Sequence, residues 1–164
     1  MLLCPESGKR IGDEGRRKLK GDLPVGLDFK LLHVGVAVPS LSPATELLSS
    51  LFGYMVVAGP FDDPIQKVTV SFLARSDKDV AEIELIAPLG DDSPVQSMLA
   101  KGNGGAYHLC FETSDIDAAL AHARKNGCVV LAAPVPAVAF AGRRIAWIYT
   151  ASRQLFELVE ATSA

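Results

Sequence analysis

Two histidines and two glutamates recur at matching places in two similar halves of the sequence. His33 begins a strand-like run, and Glu84 lies in another such run 51 positions later. His108 and Glu157 repeat this arrangement with a separation of 49 positions. Imidazole nitrogen and carboxylate oxygen together suit Zn²⁺, Mn²⁺, Co²⁺, Ni²⁺ or Fe²⁺. The repeat therefore predicts one divalent metal site with four ligands: His33, Glu84, His108 and Glu157.

Each of these four residues would have an ordinary explanation if it stood alone. A histidine at a strand start usually makes a structural hydrogen bond, and a lone glutamate on a strand is usually exposed. Their matched positions in two similar halves favour a common role instead. His122 has no counterpart in the other half. It is predicted to lie on a helix surface.

The residues around His33 predict a strand followed by a helix. Residues 29–38 are rich in leucine and valine, which is typical of a strand. Ser42 is predicted to cap the helix, with Pro43 at its first position. Gly53 is predicted to end this helix.

The remaining elements follow the same order in both halves. In the first half three more strands are predicted, over residues 54–58, 67–74 and 80–87. A short helix over 95–100 and a glycine-rich stretch link the halves. The second half is predicted to contain a strand over 106–112, a helix capped by Asp115 and ended by Gly127, and strands over 128–132, 144–149 and 155–160. Each half is thus β-α-β-β-β, which predicts two modules sharing one site at their junction.

Strand alternation predicts which side chains accompany the histidines. Successive residues of a strand point to opposite faces. Alternation therefore places four small residues on the histidine faces: Gly35 and Ala37 beside His33, and Ala106 and Cys110 beside His108. Small neighbours leave room for a metal ion and a substrate.

The composition excludes several classes of partner. A net charge of −3 leaves no basic excess to neutralise phosphates, so neither nucleic acid nor a membrane surface is expected as a partner. No apolar run suggests a membrane span or a signal peptide. The three cysteines show no paired or metal-type spacing. We expect a cytoplasmic protein.

The first 27 residues differ in character from the rest. They mix charges of both signs with glycines and contain little apolar material, which predicts a flexible extension. An alternative is a flap for an anionic ligand formed by Arg16, Arg17 and Lys18. Residues 28–164 are predicted to form a single domain: module one over about 28–90, a linker over about 91–105 and module two over about 106–161.

Five short segments carry a resemblance to a known superfamily. They are residues 33–38 (His-Val-Gly-Val-Ala-Val), 83–89 (Ile-Glu-Leu-Ile-Ala-Pro-Leu), 92–94 (Asp-Ser-Pro), 104–108 (Gly-Gly-Ala-Tyr-His) and 156–158 (Phe-Glu-Leu). Over residues 30–161 the chain resembles the vicinal oxygen chelate superfamily of glyoxalases, bleomycin-resistance proteins and dioxygenases, most closely its methylmalonyl-CoA epimerase branch. The resemblance implies an α+β fold in which two βαβββ modules form a cupped eight-stranded mixed sheet with helices outside. It also implies a homodimer and a divalent ion (Co, Mn, Ni or Zn) on the four residues.

The resemblance further implies a lyase or isomerase that moves a proton next to a carbonyl. The metal would act as a Lewis acid toward an enolate, and Glu157 or Glu84 would move the proton. The substrate would be a small molecule, possibly an acyl-CoA thioester. Arg143 and Arg144, at a strand entrance, are candidates to bind its carboxylate or phosphate. The alternative is that they lie at a solvated strand end.

Two departures from the epimerase pattern leave the second proton-handling group open. Many epimerases have a second histidine before the ligand histidine, where this chain has Tyr107. Some bacterial ones carry a non-ligand carboxylate in the third strand, and residues 66–72 contain none. A glyoxalase I-like lyase and a non-catalytic small-molecule-binding protein are the alternatives. The fourth ligand argues against an iron-dependent dioxygenase.

Overall fold

A computed structural model describes residues 23–76, 82–102 and 104–162. Within these ranges the chain forms nine strands, three α-helices and one short 3-10 helix (Val138–Phe140). The strands are β1 (Lys30–Ala37), β2 (Met55–Asp63), β3 (Val68–Ala74), β4 (Ile83–Pro88), β5 (Gly105–Thr113), β6 (Val129–Val130), β7 (Val135–Pro136), β8 (Arg144–Tyr149) and β9 (Leu155–Glu160). The helices are α1 (Leu41–Phe52), α2 (Gln96–Gly102) and α3 (Ile116–Lys125).

All the strands belong to one mixed sheet with mirrored halves. Its order is β2-β3-β4-β1-β5-β9-β8-β6, and β7 pairs with β8. In each half the first and last strands are parallel neighbours, β1 with β4 and β5 with β9. The antiparallel pair β1–β5 joins the halves within one chain. The predicted α+β fold of two repeated modules is therefore confirmed.

The sheet contains one strand more than the eight predicted. The additional strand, β7, pairs only Val135 and Pro136 with β8. Proline cannot donate to a strand ladder and is typical of loops or sheet edges. With prolines at 134 and 136, this segment gave no strand pattern in the sequence.

The sheet has a helix-covered outer face and an inner face that lines a cavity. On the outer face, α3 packs Ile116 and Leu120 against Ala146 of β8 and Leu158 of β9. Burying such apolar side chains stabilises the fold by roughly 25 cal/mol per Å² of area removed from water. The inner face carries the predicted metal ligands.

Of the two predicted N-terminal helix caps, one is confirmed and the other lies at a different residue. Asp115 caps α3, its carboxylate accepting a 2.9 Å hydrogen bond from the Ala118 amide. Helix α1 is capped by Ser40, two residues before the predicted Ser42, and the Ser40 side chain makes no capping hydrogen bond. The prediction relied on proline at the first position, but proline is tolerated throughout the first turn, where amides have no helical partner.

Some predictions fall at the edge of the described residues or beyond it. Residues 1–22, including Arg16, Arg17 and Lys18, lie outside them. Leu27, at the end of the predicted extension, is buried beneath α3 and so belongs to the packed domain. Among the described helices, no helix is long and apolar enough to cross a membrane. The cytoplasmic location stays a prediction.

The difference between the two caps can be measured. Asp115→Ala removes a capping hydrogen bond and should lower the free energy of unfolding by about 1 kcal/mol. Ser40→Ala should change it little, since the Ser40 side chain makes no such bond. Urea denaturation of both variants tests this, and equal losses would contradict the assignment.

Candidate metal centre

The four predicted ligands come together on the inner face of the sheet. His33 lies on β1 and His108 on β5, the strands that join the modules. The parallel neighbours of these strands are β4 and β9. Glu84 of β4 is paired with Gly35, two residues after His33, and Glu157 of β9 is paired with Cys110, two residues after His108. A step of two residues keeps the same face. Strand pairing alone thus collects two histidines and two glutamates around one point.

The distances between the donor atoms suit a single ion. His33 Nε2 lies 3.3 Å from Glu84 Oε2 and 3.6 Å from Glu157 Oε2. His108 Nε2 lies 3.3 and 3.4 Å from the same two oxygens. All four donor atoms lie within 4.8 Å of one another. Ligands about 2.1 Å from an ion, at tetrahedral or octahedral angles, stand roughly 3.0–3.4 Å apart. The residues therefore fit a divalent metal ion.

The electrostatics of the four groups also fit a cation. Burial alone would lower the pKa of His108, but hydrogen bonds to Glu157 and Glu84 outweigh it and raise the pKa to about 9. Burial would raise the pKa of Glu157, yet its bonds with His108 and His33 hold the pKa at about 2. The charged form of the buried carboxylates is thus stabilised by positive charge beside them. A divalent cation can supply that charge in place of the histidine protons.

Packing, rather than a second hydrogen bond, orients the His108 ring. Its Nδ1 has no hydrogen-bond partner among the residues that the structure describes. The ring lies against the backbone of Gly35, where a Cβ atom would stand 2.2 Å from Cε1 and 2.4 Å from Nδ1. The edge of Trp147 closes the other side, with ring centroids 4.9 Å apart. Gly35 is thus required next to His108.

Aromatic rings also enclose His33, so the centre is shielded from water. Phe72 meets the imidazole edge-on at 5.5 Å, and Phe140 stacks on it at 6.1 Å between ring centroids. Neither Phe140 nor Trp147 was identified from the sequence. Trp147 is the single tryptophan of the chain and falls on a predicted strand, which was the available signal.

A mainly apolar cavity of about 190 Å³ opens beside Glu84, His108 and Glu157. Its other polar lining residues are Asp63, Gln66 and Tyr107. The Asp63 carboxylate accepts hydrogen bonds from the amides of Ile65 and Gln66, which explains its burial without a cation. The cavity can therefore hold a small, partly apolar molecule against the four donor atoms.

The predicted alternation holds in β1 and fails at the start of β5. His33, Gly35 and Ala37 all face inward and are buried. In β5, His108 pairs with Gly35 but Ala106 pairs with Val36, so Tyr107 is an extra residue in the ladder. Ala106 consequently lies on the outer face, and its predicted place beside His108 was wrong. A bulge of this kind has no clear sequence signal.

The two predicted substrate-binding arginines lie outside the cavity lining. Arg143 Nη1 donates to Glu112 at 2.7 Å and to the carbonyl of Glu160 at 3.3 Å. Arg144 pairs with Glu160 and with Asp117 of α3, on the helix-covered side. Both guanidinium groups are already engaged with protein acceptors. Their role toward a substrate stays a prediction that no contact in the structure supports.

Comparison with known proteins agrees with this geometry. A family model described as the Glyoxalase/Bleomycin resistance protein/Dioxygenase superfamily matches residues 32–147. The chain belongs to this superfamily. The ethylmalonyl-CoA/methylmalonyl-CoA epimerase of Cereibacter sphaeroides is 35% identical over 121 residues, which cover 73% of this chain and 87% of the relative.

Solved structures of the superfamily show the same fold. Methylmalonyl-CoA epimerase from Mycobacterium tuberculosis has a TM-score of 0.71 and 29% identity, covering 81% of this chain and 88% of that one. A Streptomyces coelicolor epimerase variant in complex with 2-nitronate-propionyl-CoA has a TM-score of 0.69 and 29% identity, covering 81% and 97%. These relatives favour the epimerase interpretation over the two alternatives. The prediction of an enzyme most like methylmalonyl-CoA epimerase is confirmed.

The contact between Gly35 and His108 predicts a loss of metal in Gly35→Ala. The new methyl group would overlap the imidazole and displace its Nε2, so metal affinity should fall about ten- to a hundredfold. Gly102→Ala is the matched control, because a Cβ there meets no atom within 4 Å. Titration of metal-stripped protein with Co²⁺, followed by its absorption spectrum, measures the affinity. An unchanged affinity in Gly35→Ala would contradict this account of the His108 ring.

Proposed function

We propose that this chain binds a divalent metal ion through its two histidines and two glutamates and epimerises a small 2-substituted malonyl-CoA thioester. The observation that carries the proposal is the convergence of four buried donor atoms on the wall of a mainly apolar cavity. The Cereibacter sphaeroides relative, an ethylmalonyl-CoA/methylmalonyl-CoA epimerase, supports the substrate class.

The proposed ion is Co²⁺, Mn²⁺, Ni²⁺ or Zn²⁺, held by His33, Glu84, His108 and Glu157. Two imidazoles and two carboxylates suit each of these ions. The two carboxylates balance a charge of +2, so a bound ion leaves little net charge in the apolar surroundings. When bound, the ion supplies Lewis-acid stabilisation for an enolate.

Glu157 is proposed to take the proton from the substrate carbon. Its Oε2 makes the two longest of the four carboxylate–imidazole contacts, 3.4 Å to His108 Nε2 and 3.6 Å to His33 Nε2. Glu84 Oε2 lies 3.3 Å from both histidines and is the more closely held carboxylate. The less constrained carboxylate can move toward a substrate more readily. Glu84 is proposed to act chiefly as a ligand.

The shape of the cavity supports a short acyl group. Val68, Val70 and Ile86 of module one line it together with Ile145 of module two. Their side chains can surround a methyl or ethyl branch and keep water from the reacting carbon. A volume of about 190 Å³ suits the acyl part of a thioester but not a whole coenzyme A molecule.

Exchange of the substrate α-proton tests the reaction directly. Metal-loaded protein is incubated with methylmalonyl-CoA in D₂O, and loss of the α-proton signal is followed by NMR. Glu157→Gln and Glu84→Gln form a matched pair, since each keeps an amide oxygen for the metal and removes one base. We expect Glu157→Gln to slow exchange about a hundredfold or more and Glu84→Gln to slow it less.

Each of the other outcomes would support a different interpretation. Conversion of hemithioacetals without methylmalonyl-CoA exchange would support a glyoxalase-like lyase. Metal binding without either reaction would support a non-catalytic binding protein. A larger loss in Glu84→Gln would exchange the proposed roles of the two carboxylates.

We also propose that the chain forms a homodimer through α1 and the edge strand β2. None of the residues of α1, all of which the structure describes, is buried. Leu47, Leu51 and Phe52 of α1 are 57%, 62% and 63% exposed, and Met55 and Val56 continue this surface onto β2. Exposed apolar side chains grouped in this way are typical of an interface. A second copy of the same surface would cover it symmetrically.

Light scattering coupled to size-exclusion chromatography tests the dimer. The wild-type protein should elute as a dimer, and Leu51→Glu should shift it toward a monomer by placing a charge in the apolar contact. Val129→Glu is the control, because Val129 is 59% exposed on β6 at the other edge of the sheet. A monomeric wild-type protein would rule out the interface.

A further inference from the structure

We propose that the Tyr107 hydroxyl donates a hydrogen bond to a substrate oxygen in the cavity, and so orients the acyl group beside the metal ligands. This inference rests on the proposed function. It concerns a polar side chain that lines the cavity, which neither Arg143 nor Arg144 does.

Two related bulges bring extra side chains to the inner face. In β1 the ladder passes from the pair Leu31–Phe111 to the pair His33–Cys110, so Leu32 is the extra residue. In β5 the extra residue is Tyr107, immediately before His108. A bulge interrupts strand alternation and redirects a side chain. Each module therefore turns the residue before its metal-binding histidine toward the cavity side of the sheet.

The two bulge residues pack alike but differ in chemistry. Leu32 packs against the module-two cluster that contains Ala137 and Ile145. Tyr107 packs against the module-one cluster that contains Val70 and Ile86. An aliphatic side chain is sufficient at the first of these equivalent positions. Packing therefore does not explain the hydroxyl at the second.

The Tyr107 hydroxyl is available to a ligand. Tyr107 lines the cavity, with its ring centroid 5.6 Å from that of His108 and 6.3 Å from that of Trp147. In the described part of the chain its hydroxyl has no hydrogen-bond partner. Asp63 is occupied by backbone amides, and the Gln66 carbonyl accepts a 3.1 Å bond from Trp147 Nε1. Tyr107 thus offers an uncommitted polar group beside the ligand set.

The hydroxyl is suited to donate rather than accept. A tyrosine hydroxyl keeps its proton at neutral pH and can therefore donate a hydrogen bond. The substrate class carries a carboxylate and a thioester carbonyl, and the latter gains negative charge as the α-proton leaves. Hydrogen bonds to charged oxygen are about twice as strong as those between neutral groups. A tyrosine donor therefore favours the charged form of the acyl group.

The test compares Tyr107→Phe with Tyr149→Phe. Tyr149 lies on β8, is 38% exposed and lies outside the cavity lining, so it controls for the loss of a tyrosine hydroxyl. Affinity for 2-nitronate-propionyl-CoA is measured by calorimetry on metal-loaded protein, with metal content determined for each variant. We expect Tyr107→Phe to bind this ligand about ten- to a hundredfold more weakly with full metal content. Its kcat/KM for methylmalonyl-CoA exchange should fall by a similar factor, and Tyr149→Phe should match the wild type.

Two results would overturn the inference. Equal ligand affinity and exchange rate in Tyr107→Phe and the wild type would show that the hydroxyl makes no contact with the acyl group. A loss of metal in Tyr107→Phe would show that the ring supports His108 instead. If the metal-loaded wild type neither exchanges methylmalonyl-CoA nor binds the nitronate, the proposed function fails, and the inference fails with it.

Discussion

The antiparallel pairing of β1 with β5 is the constraint on which the rest of the structure depends. It joins the two modules and sets His33 Nε2 3.3 Å from His108 Nε2. The close approach is possible because Gly35 stands directly opposite His108 and offers no side chain to the imidazole. Each glutamate then reaches the same point through the parallel neighbour of its own module. One strand pair thus determines both the sheet and the centre within it.

The centre combines groups that would be costly to bury separately. Two carboxylates in an apolar setting require nearby positive charge, because an unpaired buried charge costs several kcal/mol. The protein places them beside two imidazoles and surrounds the group with aromatic rings, including Phe72, Phe140 and Trp147. Two buried carboxylates beside two imidazoles are also a favourable set of ligands for a divalent ion. Stability and chemistry therefore depend on the same contacts.

The two modules have equivalent frameworks but unequal linings. Both contain the strand order, the histidine, the glutamate and a bulge before the histidine. They differ in the bulge residue, Leu32 in one module and Tyr107 in the other. Tyr107 lines the cavity and Leu32 does not, so a symmetric set of candidate ligands lies beside an asymmetric cavity. The proposed acyl substrate is asymmetric too, with an alkyl branch and charged oxygens on opposite sides of its reacting carbon.

The sequence by itself determined the repeated strand–helix order, because that order follows from periodicity, and the four candidate ligands, because their residue types recur at matched spacings. The family followed from short segments that resemble its epimerase branch. The sequence also placed the Asp115 cap correctly, again from a local pattern. Only the tertiary structure decided that Ala106 turns outward and Tyr107 faces the cavity, since a bulge depends on the register between strands distant in the chain. The engagement of Arg143 with Glu112 was also decided there. Side-chain partners of this kind are chosen by the packed sheet and leave no local pattern in the sequence.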